Sequence, residues 1–124
     1  MEFMLLIIDV DETIAAAAPA EIDQIMDRHT RFGDELRAAG AWIETQRLRP
    51  GKHAATVRRR QGKPVVVDGP FAESKEVLGG FYWIRAASME EAIEWAKKLP
   101  TFPDSAVEVR PIWGSTRTGR WSES

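Results

Sequence analysis

The chain has 124 residues, of which 44% are hydrophobic and 29% are charged, a balance typical of one compact globular domain. Its 19 acidic residues slightly outnumber its 17 lysines and arginines, and the net charge of -2 argues against direct binding of nucleic acids or anionic membranes. The sequence contains no cysteine, which excludes disulfide bonds, thiolate catalysis and thiolate metal ligands.

The first apolar run, residues 3–8, predicts a strand that is hydrophobic on both faces and therefore central in a sheet. Acidic residues follow it almost at once, and no basic leader precedes it. The run is too short to span a membrane and lacks the pattern of a signal peptide. We therefore expect a soluble cytoplasmic protein, with a loop over residues 9–18.

A long helix is predicted between Pro19 and Gly40. Proline suits the first helical position, and glycine suits the cap that follows the last turn. Apolar residues and one histidine recur between them at helical spacing, so that they share one face. These residues are Ile22, Ile25, Met26, His29, Phe32, Gly33 and Leu36.

The rest of the chain reads as strands, one hairpin and a second helix. A capping box of Ser88 and Glu91 begins that helix, and Pro100 ends it. The polar segment 114–124 is expected to be a flexible tail behind a single domain of residues 1–113. The predicted strands are residues 42–49, a hairpin of 55–60 and 63–67, then 80–86 and 105–113.

This order of elements predicts an α+β fold of the ferredoxin-like type, with a split βαβ antiparallel sheet. Both helices would cover one face of the sheet, and the hairpin is an insertion in the middle of the pattern. Several strands carry apolar residues on both faces, so the second face also needs a cover. We therefore expect a homodimer that packs sheet against sheet.

Two residues are candidates for chemistry. His29 lies on the apolar stripe of the long helix, where an imidazole could move a proton if a carboxylate orients it. The simpler alternative is a buried histidine satisfied by one hydrogen bond. Asp68 begins a rigid corner, Asp68-Gly69-Pro70-Phe71, and could either orient His29 or bond its own turn backbone.

Other side chains are candidates for binding a ligand. Glu73 and Lys75 flank the corner, where a solvated loop pair is the simpler interpretation. Arg47 could bind a substrate carboxylate, and Tyr82 could offer its hydroxyl, whereas Trp83 next to it points to the opposite face of the strand. No metal site is expected, because His53 is the only other histidine and nothing brings it to His29 at ligand spacing.

Several spaced motifs resemble the YCII-related family in its DGPF-domain branch. They are Asp68-Gly69-Pro70-Phe71, Ser74-Lys75-Glu76, Gly79-Gly80-Phe81-Tyr82, Glu94-Trp95-Ala96 and Val107-Glu108-Val109-Arg110-Pro111, and the likeness extends to about residue 113. The resemblance implies a dimeric α+β barrel and a His and Asp pair, which map here onto His29 and Asp68. Some members of that family resemble dehydrochlorinases and isomerases, and others accompany or are fused to sigma factors.

Two functions from different classes follow. The first is a small-molecule-binding protein, acting without a cofactor as a His/Asp acid–base enzyme that eliminates or isomerises a small cyclic or acidic metabolite. The second is a non-catalytic module that senses a ligand or binds a protein and is associated with a sigma factor. An enzyme needs His29 to be reached by solvent and perturbed by its carboxylate, whereas a sensor needs only a shaped cavity.

Overall fold

The computed structural model of the chain describes residues 1–114, so the predicted tail lies outside the described residues apart from Gly114. A single turn of 3₁₀ helix, Gly51–His53, follows the second strand. The elements in chain order are β1 (Glu2–Val10), α1 (Asp11–Ala16), α2 (Pro19–Ala38), β2 (Trp42–Arg47), β3 (Ala55–Arg60), β4 (Lys63–Asp68), β5 (Glu76–Arg85), α3 (Met89–Lys98) and β6 (Ala106–Pro111).

The main sheet has four antiparallel strands in the order β2-β5-β1-β6, which is the ferredoxin-like arrangement. Strands β3 and β4 form a separate two-stranded sheet, as the predicted insertion requires. The predicted α+β fold is thus confirmed, and so are the long helix and the hairpin.

One helix was missed by the sequence reading, which assigned residues 9–18 to a loop. Strand β1 continues to Val10, and α1 follows directly with Asp11 and Glu12 in its first turn, where the helix dipole favours acidic side chains. Helix α1 buries none of its residues, so its sequence carries no apolar stripe. It ends at Ala16, three residues before Pro19, and the residue that directly precedes a proline disfavours helical backbone.

Alternate residues of β1 lie on opposite faces of the main sheet. On one face, which we call the covered face, Phe3 and Leu5 are fully buried beside Ile84 of β5. Helix α2 adds Phe32 and Leu36 to the same core. Helix α3 covers the other end of this face and contributes Ala92, while Leu99 follows at its C-terminal cap.

The other face, which we call the open face, carries apolar side chains that do not belong to the core. They are only half-buried, although β1 and β5 are the two central strands. Among residues 1–114, the core cluster to which the helices contribute includes none of these side chains. The open-face side chains are Met4, Leu6, Ile8, Phe81 and Trp83.

The hairpin β3–β4, which we call the arm, is also exposed. Its turn residues Gln61 and Gly62 both have positive φ, as expected for a two-residue hairpin loop. Val57 and Val66 face each other across the two strands and are 63% and 68% exposed. Every residue of β4 is exposed, so the arm contributes nothing to the hydrophobic core.

Helix α3 begins with the predicted capping box. The Ser88 hydroxyl accepts a hydrogen bond from the Glu91 backbone N–H at 3.2 Å, and the Glu91 carboxylate accepts one from the Ala87 N–H at 2.7 Å. The helix ends at Lys98, and Pro100 and Phe102 then reach the end of the covered face where β1 meets α1. This placement closes one side of a cavity.

Candidate functional site

A cavity of about 510 Å³ lies between the covered face of the sheet, helix α1, the middle of helix α2 and the segment after α3. Its walls are mostly apolar and include Ile7, Met26, Leu48 and Phe102. A volume and lining of this kind are typical of small-molecule sites. Titratable side chains from β1, α2, β2 and β5 also reach the cavity, which makes it the candidate site.

His29 projects from α2 against the floor of the cavity. Its Nδ1 lies 2.8 Å from the Tyr82 hydroxyl, and the two rings are nearly parallel, with 5.8 Å between their centroids. Burial lowers the pKa of His29 below its ordinary 6.5, since desolvation outweighs the nearby Asp9 carboxylate, which favours the charged ring. The Arg47 guanidinium lowers this pKa further, so the imidazole is neutral at neutral pH.

The tautomer of His29 follows from its two neighbours. Pro100 has no N–H, so its backbone can only accept a hydrogen bond, and its carbonyl favours a protonated nitrogen on that side of the ring. Burial also raises the pKa of the Tyr82 phenol, which therefore keeps its proton. We assign the ring proton to Nε2, and the Tyr82 O–H then donates to Nδ1.

The carboxylate that acts on His29 belongs to Asp9. Asp9 is the last residue of β1 on the covered face and is only 8% exposed. The Ser105 hydroxyl donates a hydrogen bond to its Oδ1 at 2.7 Å. A neutral donor thus holds the buried Asp9 side chain beside the ring whose protonated form it favours.

Gly79 makes room for this carboxylate. In the pairing of β1 with β5, Ile7 lies opposite Gly80 and Ile8 lies opposite Leu78, so Gly79 is the extra residue of a β-bulge. A Cβ atom at Gly79 would overlap Asp9 Oδ2. Gly79 lies within β5, and its missing side chain lets the Asp9 side chain pack against the backbone of that strand.

The structure does not bring Asp68 to His29. Asp68 ends β4, pairs with Ala55 and is exposed on the arm, and it is neither in the cavity lining nor among the charges that act on His29. Asp68 lies on the arm, which forms its own two-stranded sheet, whereas His29 lies on α2 and faces the cavity beside the main sheet. At the corner after β4, Gly69, with φ of 97°, donates its backbone N–H to Ala54.

The other predicted binding residues divide between the cavity and the surface. Arg47 and Tyr82 line the cavity together with His29. Glu73 and Lys75 do not line it, and both are exposed. The Lys75 ammonium is 3.7 Å from a carboxylate oxygen of Glu12, which does reach the cavity mouth. The predicted site is thus brought together only in part.

Sequence reasoning missed Asp9, although a signal was present. Asp9 has the same parity along β1 as Phe3, Leu5 and Ile7, so it continues the face that points toward the helices. An acidic residue on the buried side of a strand needs a partner or a function. The sequence-based prediction placed residues 9–18 in a loop, so Asp9 was not considered as part of a strand face.

None of the helices in residues 1–114 combines the length and the apolar character that crossing a membrane requires. Over the same residues, no three or more histidine, aspartate or glutamate side chains form a group that could hold a metal ion. His53 lies in the exposed turn after β2, whereas His29 lies in the cavity.

Comparison with known proteins assigns the family. The model of the YCII-related domain matches residues 1–121. The chain is also similar to the uncharacterized protein R00369 of Rhizobium meliloti (strain 1021), with 39% identity over 105 residues, which is 82% of this chain and 85% of that protein. The chain therefore belongs to the YCII-related family, and its own fold is a small α+β domain.

Proposed function

We propose that the protein binds a small cyclic or acidic metabolite in the cavity and transfers a proton on it through His29, catalysing an elimination or an isomerisation. The observation that carries this proposal is the hydrogen bond between His29 and Tyr82 beside the buried carboxylate of Asp9. Titratable groups with perturbed pKa values in one cavity are typical of acid–base sites.

The proton moves through the Tyr82 hydroxyl, because in the free protein that hydroxyl occupies Nδ1 of His29. As the phenol oxygen takes a proton from a carbon of the substrate, its own proton passes to Nδ1. The resulting imidazolium is stabilised by the charge of Asp9 and by the Pro100 carbonyl. The proton then returns to the substrate at a different atom in an isomerisation, or leaves with the departing group in an elimination.

A pH titration of the histidine resonances by NMR tests the electrostatic part of this proposal. The Asp9 charge favours the protonated ring, so Asp9→Asn should lower the pKa of His29 further. Asp68→Asn is the matched control and should leave this pKa unchanged, because Asp68 does not act on His29. If Asp68→Asn instead moved the resonance and Asp9→Asn did not, the pairing proposed here would be wrong.

Exchange of substrate C–H for deuterium in D₂O tests the catalytic part. A panel of small ring-derived acids and lactones is incubated with the wild type, His29→Gln and Tyr82→Phe, and the proton spectra of the compounds are followed. Exchange with the wild type and its loss in both variants is the expected result. Removing a positioned acid or base typically lowers such a rate by about 10²–10⁴-fold.

The second candidate is a non-catalytic ligand-sensing or protein-binding module linked to sigma-factor-dependent transcription. The exposed arm and the corner that follows it support this candidate, since Val57 and Val66 of the arm and Phe71 of the corner present apolar surface outside the core. Ligand binding without any exchange in the panel above would favour this candidate.

The corner Asp68–Phe71 supports placing the chain in the DGPF branch of its family.

We also propose that the protein is a homodimer whose two open faces pack together. The half-buried side chains of this face include Leu6, Phe81 and Trp83, all on the two central strands of the sheet. Apolar surface of this kind on central strands is costly to leave in water, at roughly 25 cal/mol per Å². Light scattering across micromolar concentrations should give twice the mass of the 14.0 kDa chain. A monomeric mass throughout would contradict the dimer.

A further inference from the structure

Three cationic side chains stand together at one rim of the cavity. Arg47 ends β2, and Arg49 and Lys52 follow it within five residues, so that all three line the cavity while remaining exposed. Within residues 1–114, none of the three forms an ion pair. We call these three residues the cationic rim. Unpaired positive charges concentrated on a largely apolar cavity indicate a negatively charged ligand.

The carboxylates that face the same cavity are all engaged elsewhere. Asp9 accepts a hydrogen bond from Ser105, and Glu12 lies 3.7 Å from the Lys75 ammonium. The Asp11 carboxylate accepts a hydrogen bond from the Gly51 backbone N–H at 2.8 Å. Each of these carboxylates therefore has a hydrogen-bond or ion-pair contact that holds it, whereas no rim cation forms an ion pair within residues 1–114, so the rim cations are the charges free to contact a ligand.

The segment that carries the rim is held in place by backbone contacts. The Asp11 bond ties Gly51 to the start of α1, and the Leu48 N–H donates to the carbonyl of Gly79 at 2.9 Å. A Cβ atom at Gly51 would lie 3.1 Å from both Asp11 and Pro70, so the segment packs closely on both sides. The cations thus project from a fixed support.

We propose that the cationic rim binds the oxyanion of a small organic acid, a carboxylate or a phosphate, whose apolar body lies against Ile7, Met26 and Phe102. This inference rests on the proposed function only in taking the cavity as the ligand site. Guanidinium groups bind such oxyanions through two parallel hydrogen bonds, and the lysine adds a third charge. With the anion at the rim, the body of the ligand extends toward Tyr82 on the floor.

Binding of matched probes tests the proposal. Titration calorimetry compares phenylacetate and phenyl phosphate with neutral phenylacetamide and cationic phenethylamine, which have similar apolar bodies. We expect the wild type to bind at least one of the two anions about tenfold more tightly than the amide, and the amine more weakly still. The stronger anion identifies which oxyanion the rim prefers.

A charge-matched pair of variants locates the effect. In the rim variant, Arg47→Gln, Arg49→Gln and Lys52→Gln remove three positive charges from the cavity. In the arm variant, Arg59→Gln, Arg60→Gln and Lys63→Gln remove the same residue types from exposed positions that do not line the cavity. The rim variant should lose the preference for the anion while its amide binding is unchanged, and the arm variant should keep it.

Three outcomes would overturn the inference: equal binding of anion and amide by the wild type, an equal loss in the arm variant, or no measurable binding of either anion at millimolar concentration. Arg47→Lys with Arg49→Lys keeps the charge and should retain part of the preference, which separates lost charge from altered folding.

His29→Gln distinguishes the two proposals. If it abolishes deuterium exchange and keeps anion binding, both stand; if the wild type binds the anion but never catalyses exchange, only the catalytic proposal fails.

Discussion

The two faces of the main sheet are built from the same strands and have very different surroundings. On the covered face, Leu5 is fully buried, and the core continues into a cavity with His29 and Asp9 at its end. On the open face, its neighbour Leu6 is only half-buried. Strand β1 is apolar on both faces, so its sequence does not tell which face packs into the core. The placement of the helices decides that.

The largest expected effect comes from truncating neighbouring leucines on the two faces. Leu5→Ala should cost about 3 kcal/mol of the free energy of unfolding, because it leaves a cavity in a fully packed core. Leu6→Ala should cost about 1 kcal/mol in dilute protein, since its side chain is already partly in water. Urea unfolding of both variants measures the difference. Equal costs would mean that the open face is as well packed as the covered one.

A smaller effect is expected where the covered face holds its carboxylate. Gly79→Ala should cost about 2 kcal/mol, because the new methyl group overlaps Asp9 Oδ2 and must displace it. The same substitution in an Asp9→Ala background should cost much less, and a double-mutant cycle of unfolding free energies gives the coupling. Additive costs would show that the strain arises from the bulge itself and not from contact with Asp9.

The open face gives a concentration-dependent prediction. If two open faces pack together, the melting temperature should rise with protein concentration, with about 1.4 kcal/mol of added stability for each tenfold increase. Leu6→Gln should remove most of this dependence, whereas Val57→Gln on the arm is the control and should leave it in place. Thermal melts over a range of concentrations measure it. A melting temperature that is the same at every protein concentration would mean that the open face is not covered by a second copy of the chain.

The smallest effect is a pH dependence that comes from the covered face alone. His29 has a folded pKa below 6.5, so between these two values the unfolded chain binds more protons than the folded protein. The stability of the wild type relative to His29→Gln should therefore fall as the pH drops below about 6.5, and level off below the folded pKa. Above pH 6.5 the difference should be constant. An opposite slope would mean that Asp9 outweighs burial.

Local features of the fold were predictable, and the reasons are visible in single residues. Ser88 and Glu91 are three residues apart and form their capping box within one helical turn. Gln61 and Gly62 adopt the positive φ angles of a two-residue loop, so the hairpin follows from the residues of the loop itself. In contrast, α1 could not be recognised from an apolar stripe, because none of its residues is buried.

The candidate site was predictable only where one element sufficed. The stripe on α2 was enough to point His29 toward the sheet, and alternation along β5 separated Tyr82 from Trp83. The carboxylate was assigned to Asp68 because its corner is a conspicuous motif, but Asp68 belongs to the arm. Asp9 is 20 residues before His29 in the chain, and its place depends on a bulge between β1 and β5.

The amino-acid sequence alone determined the two longer helices, the arm and the apolar strands, which faces of these elements are apolar, and that His29 faces inward, but not helix α1. These properties depend on side-chain spacing and turn chemistry within a few residues. The tertiary structure decided which carboxylate serves His29 and which cations surround the cavity. It did so because the register of β1 against β5, and the route of the chain after β2, bring together residues that no local pattern connects.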